Sequence, residues 1–220
     1  MADQFTLRVL SWDAGSALVP IRESLVVWRG EGAGLKFPDD RSVSPRHARF
    51  LNENGSLFLE DLGSVNGIFL RVREPVLLTS RDRLRLGDHV FSFEIIPDLE
   101  ATRMNITKVY SDPTTEVIGT KGQRARARLV VHLASGHRGK EYFIGDKSIV
   151  LGRGKGTHNF MSDLEISPKH AKITPLEGGA FRLTDLGSAT GTWRQTRDRV
   201  AVTPGQELLI GRQRLSVLTA

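Results

Sequence analysis

A chain of 220 residues without a single cysteine has no disulfide framework, no thiolate nucleophile and no cysteine metal site open to it. Its 31 Lys and Arg against 25 Asp and Glu give a net charge of +6, and no apolar run reaches membrane-spanning length. Met1-Ala2-Asp3-Gln4 puts an acid where a signal peptide carries bases, so the expectation is a cytoplasmic protein with room for two cores of about 95 residues each.

Taken in chain order, short apolar or alternating runs fall at Thr6–Leu10, Ser24–Val27, Ala48–Leu51, Leu57–Leu59, Leu84–Leu86 and Phe91–Ile96. A second series follows at Leu129–Leu133, Tyr142–Ile144, Ser148–Leu151, Ala171–Ile173, Phe181–Leu183, Leu208–Ile210 and Leu215–Leu218. Gly, Asp, Asn and Ser bound these runs, and no stretch sustains a 3.6-residue period, so the chain reads as all-β, in antiparallel sandwiches.

The two series are one series repeated. Val43 to Ala48 (V-S-P-R-H-A) returns as Ile166 to Ala171 (I-S-P-K-H-A), and Asp61 to Gly67 (D-L-G-S-V-N-G) returns as Asp185 to Gly191 (D-L-G-S-A-T-G). Ser24 to Gly30 aligns without gaps to Ser148 to Gly154, and Leu86-Gly87 pairs with Ile210-Gly211. An offset of well over 100 residues exceeds solenoid and propeller repeats, so each repeat is of domain size. The expected organisation is a first domain over 1–96, a linker over 97–126 and a second domain over 127–220. Basic against acidic residues number 12 to 13 in the first, 5 to 4 in the linker and 14 to 8 in the second, so the positive excess lies on the second repeat.

Three clusters recur in the turns of each repeat: Arg-Gly after an apolar strand, Ser-Pro-x-His-Ala, and Gly-Ser-x-(Asn/Thr)-Gly. In a sandwich the loops gather at the ends, so these clusters predict one binding edge. Arginine is a forked donor matched to phosphate oxygens, Ser and Asn add hydroxyl and amide hydrogen bonds, and glycine allows close backbone approach. The combination predicts a phosphate clamp.

On these motifs, Gly-Arg, Ser-x-x-His and Ser-x-Asn-Gly after Asp-Leu, both repeats resemble the forkhead-associated (FHA) domain family, over about residues 6–96 and 127–219. The resemblance implies two β-sandwiches that bind phosphothreonine peptides with loops at one end, without catalysis or cofactor. It implies that Arg29 and Ser44 hold the phosphate and Asn66 the peptide backbone, with Arg153, Ser167 and Thr190 as their counterparts. His47, Gly67, His170 and Gly191 are implied to be structural loop anchors. Each repeat departs from the pattern in a different place: Trp28 stands where the family has glycine before the arginine, and Thr190 where it has asparagine. Pro45 and Pro168 follow the ligand serine and remove a polar contact that relatives make there.

Other chemistries fit less well. Ser-x-x-His brings no recurring acid to orient the base, Gly152 to Gly156 lacks Walker spacing, and the six histidines form no metal pattern. The expectation is therefore a non-enzymatic signalling adaptor, its partners phosphothreonine proteins and a Ser/Thr kinase. A phosphate-independent scaffold or oligomerisation module is the alternative, and nucleic-acid binding by the basic second repeat a minor one. The linker adds Thr114 and Thr115, followed three residues on by Val117 and Ile118, as candidates for phosphorylation and for binding by one of the domains.

Overall fold

Strict alternation sets the first strand. In F-T-L-R-V (β1, Phe5–Val9), Phe5, Leu7 and Val9 are buried while Thr6 and Arg8 point outward. The same pattern shapes R-L-R-L (β9, Arg83–Leu86), where Leu84 and Leu86 are fully buried. In this computed structural model the described residues are 5–10, 17–97, 117–118, 124–133, 136–153, 158–159 and 163–219. Thr114 and Thr115 lie outside them.

The first repeat contributes β2 (Ala17–Ile21), β3 (Ser24–Trp28), β4 (Leu35–Lys36), β5 (Arg46–Glu53), β6 (Ser56–Asp61), β7 (Ile68–Arg71), β8 (Val76–Leu78) and β10 (His89–Ile95). After β11 (Val117–Ile118), the second repeat contributes β12 (Ala127–His132), β13 (Arg138–Ile144), β14 (Ile149–Gly152), β15 (His158–Asn159), β16 (Ala171–Pro175) and β17 (Phe181–Asp185). It ends with β18 (Thr192–Thr196), β19 (Val200–Val202), β20 (Glu207–Ile210) and β21 (Gln213–Thr219). The all-β, antiparallel expectation is met. Parallel pairs occur at the short strands β4, β11 and β15.

The compact units do not follow the repeats. Unit 1 joins residues 1–71 to 195–220, and unit 2 is the intervening 72–194. Within unit 1 the strand orders are β7-β20-β21-β1-β2 and β19-β6-β5-β3-β4. Within unit 2 they are β11-β13-β12-β10-β9-β18 and β15-β14-β16-β17-β8. Each repeat hands its last three strands to the other. β8 pairs with β17 (Leu78 opposite Phe181), β9 with β18 (Leu86 opposite Thr192) and β10 with β12 (Ile95 opposite Ala127). Reciprocally, β19 pairs with β6, β20 with β7 and β21 with β1.

This exchange corrects the boundaries expected from sequence. The segment 97–126 connects β10 to β12, antiparallel neighbours in one sheet of unit 2, rather than linking two domains. The chain passes between the units at 71–72 and 194–195 instead. The physical reason is the duplication itself: the terminal strands of the two repeats carry similar apolar faces, so each set fills the place of the other. Val202, Leu208, Ile210, Leu215 and Val217 complete the unit 1 core around Leu7, Val27, Phe50 and Leu59. Leu78, Leu84, Leu86, Phe91 and Phe93 complete that of unit 2 around Leu129, Ile144, Ile173 and Phe181.

Candidate functional site

In unit 1 a buried imidazole ties the loops at one end of the sandwich. Ser44 N–H donates to His47 Nδ1 (2.9 Å), which places the ring proton on Nε2, and Nε2 donates to the Gly67 carbonyl (3.0 Å). His47 is fully buried, and burial lowers its pKa, so the staple is a neutral ring. Leu62 N–H bonds the His47 carbonyl (3.0 Å), and Arg29 N–H bonds the Ser44 carbonyl (3.1 Å). Three loops separated in sequence are thereby held together.

The side chains expected at this edge converge on it. Ser44 Oγ accepts the Val65 N–H (3.0 Å), which leaves the hydroxyl proton available for an incoming acceptor. Arg29 spends one guanidinium N–H on the Arg41 carbonyl (3.5 Å) and keeps the rest of its fork. Asn66 Nδ2 donates to the Ser42 carbonyl (2.9 Å), leaving its amide oxygen and a second N–H for a ligand backbone. Behind them Asp61 accepts the Ser64 N–H (2.7 Å) and hydroxyl (3.0 Å), while Ser64 Oγ accepts the Gly67 N–H (2.9 Å). Gly67 has φ +76°, and a Cβ there would lie 1.7 Å from Gln195 Nε2, so glycine is required.

Unit 2 repeats the assembly. Ser167 N–H donates to His170 Nδ1 (3.1 Å) and His170 Nε2 to the Gly191 carbonyl (2.9 Å). Arg153 N–H bonds the Ser167 carbonyl (3.0 Å), Arg153 Nε the Ile166 carbonyl (3.2 Å), and Ser167 Oγ accepts the Ala189 N–H (3.1 Å). Thr190 Oγ1 donates to the Glu165 carbonyl (2.7 Å), in the place where Asn66 meets Ser42. Threonine thus keeps the tether, but it spends its only donor on it.

Trp28 departs from its counterpart through a local irregularity. Val27 is opposite Ala48 but Trp28 is opposite Arg46, so the register shifts by a bulge at the end of β3. The indole Nε1 donates to the Ala33 carbonyl (3.1 Å), and the Arg46 guanidinium sits 5.5 Å from the ring centroid. A Cβ on Gly32 would come within 2.7 Å of the ring, which therefore lies against that turn. In unit 2 a Cβ at Gly152 would meet the Pro168 carbonyl at 2.2 Å, so glycine is obligatory there.

Two residues that the motifs do not single out anchor the serine loops. Asp40 is 7 % exposed; its Oδ1 accepts the Ser42 N–H (2.9 Å) and its Oδ2 accepts Arg212 N–H (2.8 Å) and Gln213 Nε2 (2.9 Å). Asp163 is 8 % exposed; its Oδ1 accepts the Glu165 N–H (2.9 Å) and its Oδ2 accepts Asp88 N–H (3.0 Å) and meets His89 Nδ1 (2.8 Å). Burial alone would raise both carboxyl pKa values, but the donors around each hold it below the usual carboxylate range. An aspartate recurs at this position of both repeats, which was the available signal. Its partners come from the exchanged strands and were invisible in sequence.

The FHA domain family model matches residues 29–87 and 149–211, together more than half of the chain. Similar proteins include the glycogen accumulation regulator GarA of Mycolicibacterium smegmatis, 31% identical over 105 residues, 47% of this chain and 66% of that protein. GarA of Mycobacterium tuberculosis is 27% identical over 132 residues, 59% of this chain and 77% of that protein. An oxoglutarate dehydrogenase inhibitor of Corynebacterium diphtheriae is 26% identical over 128 residues, covering 57% and 83%. The solved FHA domain of a Chlamydia trachomatis protein aligns over 98% of this chain and 96% of that one, at 12% identity and a TM-score of 0.38.

Proposed function

The chain belongs to the FHA domain family, and from that premise we propose that it is a non-enzymatic regulatory adaptor that binds phosphothreonine-bearing proteins. Arg29 and Ser44 hold the phosphate in unit 1, Asn66 holds the peptide backbone beside it, and Arg153, Ser167 and Thr190 form the weaker counterpart in unit 2. The observation that supports this most is the state of Ser44. Its oxygen is already engaged by Val65 N–H, so the hydroxyl proton is free to be donated, on the same loop whose Arg41 carbonyl accepts from the Arg29 fork. A phosphothreonine carries close to two negative charges and three acceptor oxygens, and each charge-assisted bond contributes about 1.5–3 kcal/mol.

The proteins it resembles are named as a regulator of glycogen accumulation and an inhibitor of oxoglutarate dehydrogenase. By that likeness the bound target is an enzyme whose activity is set by the adaptor, downstream of a Ser/Thr kinase. The test is a paired array of phosphorylated and unphosphorylated threonine peptides probed with the wild type, Ser44→Ala and Asn66→Ala. Phosphate-dependent spots that fade in both variants support the reading. Equal binding to both members of each pair would favour a phosphate-independent scaffold.

A further inference from the structure

All three ligand residues of each site lean on one short loop. In unit 1 the Arg41, Ser42 and Ser44 carbonyls accept from Arg29 Nη1, Asn66 Nδ2 and Arg29 N–H respectively. In unit 2 the Glu165, Ile166 and Ser167 carbonyls accept from Thr190, Arg153 Nε and Arg153 N–H. The start of each loop is fixed by its buried aspartate, and each aspartate is held from the far side by the turn of a hairpin that belongs to the other repeat. Those turns approach closely: a Cβ on Gly211 would lie 2.9 Å from Asp40 Oδ2, and one on Gly87 2.5 Å from Asp163 Oδ2.

We propose that each phosphopeptide site is positioned by the repeat that does not contain it, with Gln213 setting the Ser44 loop and His89 setting the Ser167 loop. The proposal rests on the phosphopeptide reading for its function, but its geometry stands without a ligand. Gln213 and His89 are positioning residues: they touch the aspartate and not the expected ligand. They occupy matching places in the repeats, each reaching its aspartate from the strand that follows the turn. His89 Nδ1 lies 2.8 Å from Asp163 Oδ2. Among the described residues around His89 are Asp163 on the loop, Asp88 beside it in the chain, and Phe91, whose ring stacks at 6.0 Å. His132 on β12 is opposite Val90 and so belongs to the other face of the sheet.

The test uses the full chain and measures amide hydrogen exchange at residues 163–167 and 40–44 without ligand, at one fixed pH, in the wild type, His89→Ala and His89→Gln. Expected are about tenfold faster exchange over 163–167 in His89→Ala with 40–44 unchanged, and rescue in His89→Gln, whose amide can keep the bond to Asp163. No change over 163–167, or a change confined to 40–44, would overturn the inference. Phosphothreonine peptide titration of the same samples separates the two claims: a loop that responds as expected in a wild type that binds no phosphopeptide sinks the functional reading and leaves the positioning intact.

Discussion

Ser44 and Arg29 differ in what they do for the fold. Ser44 is buried and accepts a backbone N–H, whereas Arg29 contributes a single long bond to a carbonyl at an exposed edge. Arg29→Ala is therefore expected to lower phosphopeptide affinity by about 100-fold or more, the loss of two charge-assisted bonds, while the melting temperature stays within about a degree of wild type. Titration and calorimetric melting on one sample check both halves. Thr190→Asn should raise unit 2 affinity several-fold, because the amide restores a free acceptor while keeping the tether to the Glu165 carbonyl; unchanged affinity in that variant would mean the backbone grip lies elsewhere. That these residues gather at one edge was legible in the sequence because each motif is local: the Ser and His of Ser-x-x-His meet across three residues. The braces on Asp40 and Asp163 were not, since Gln213 and His89 lie 173 and 74 residues away from them.

At the scale of the element, the end of β3 and the end of β14 solve one problem in two ways. β3 bulges and carries Trp28, which is pinned by Ala33 and Arg46; β14 ends in Gly152 against the Pro168 carbonyl. Gly152→Ala is expected to destabilise unit 2 by about 2–3 kcal/mol, since the clash is with backbone, and Trp28→Gly to cost unit 1 less. Thermal melts of the two variants compare them directly. Strand identity was legible from alternation in runs such as Phe5–Val9, but β2 and β18, each of five residues, match none of the runs. The bulge was not, because a register shift of one residue leaves no mark on composition.

The exchange of terminal strands belongs to the whole molecule and was hidden for a related reason: repeats that match in sequence match in the faces they offer, and pattern cannot say which partner each strand takes. It makes the order of the chain a poor guide to where damage falls. A chain stopped after Arg194 loses β19, β20 and β21, which supply Val202, Leu208, Ile210, Leu215 and Val217 to unit 1. It is expected to lose the site at Arg29, Ser44 and Asn66, although every one of those residues is present, and to retain cooperative melting of unit 2. Retention of the unit 1 site would show that the strands pair within their own repeats.

The net charge also redistributes under this arrangement. Unit 2, residues 72–194, holds 19 basic against 14 acidic residues, and unit 1 holds 12 against 11. Several cations of unit 2 are paired, Arg128 and Arg138 with Glu94 and Glu141, and Arg194 with Asp82. Four carboxylates, the buried Asp40, Asp163 and Glu207 and the half-buried Asp185, have pKa values held below their ordinary ones by donors that outweigh the effect of burial. A depressed folded-state pKa gives stability that is present above the unfolded value, about pH 4 to 4.5, and lost as pH falls through the lower folded values. Urea midpoints should hold steady between pH 7 and 5 on this account, apart from histidine effects, and drop between pH 4 and 3. A midpoint unchanged to pH 3 would show that these carboxylates do not stabilise the fold.

The most direct measurement is calorimetric titration of a degenerate phosphothreonine peptide pool, and its unphosphorylated twin, into the wild type, Arg29→Ala and Arg153→Ala. The predicted result is heat only with the phosphorylated pool, most of it lost in Arg29→Ala and a smaller part in Arg153→Ala. Heat from both pools alike, or none from either in folded protein, would contradict phosphothreonine-dependent binding.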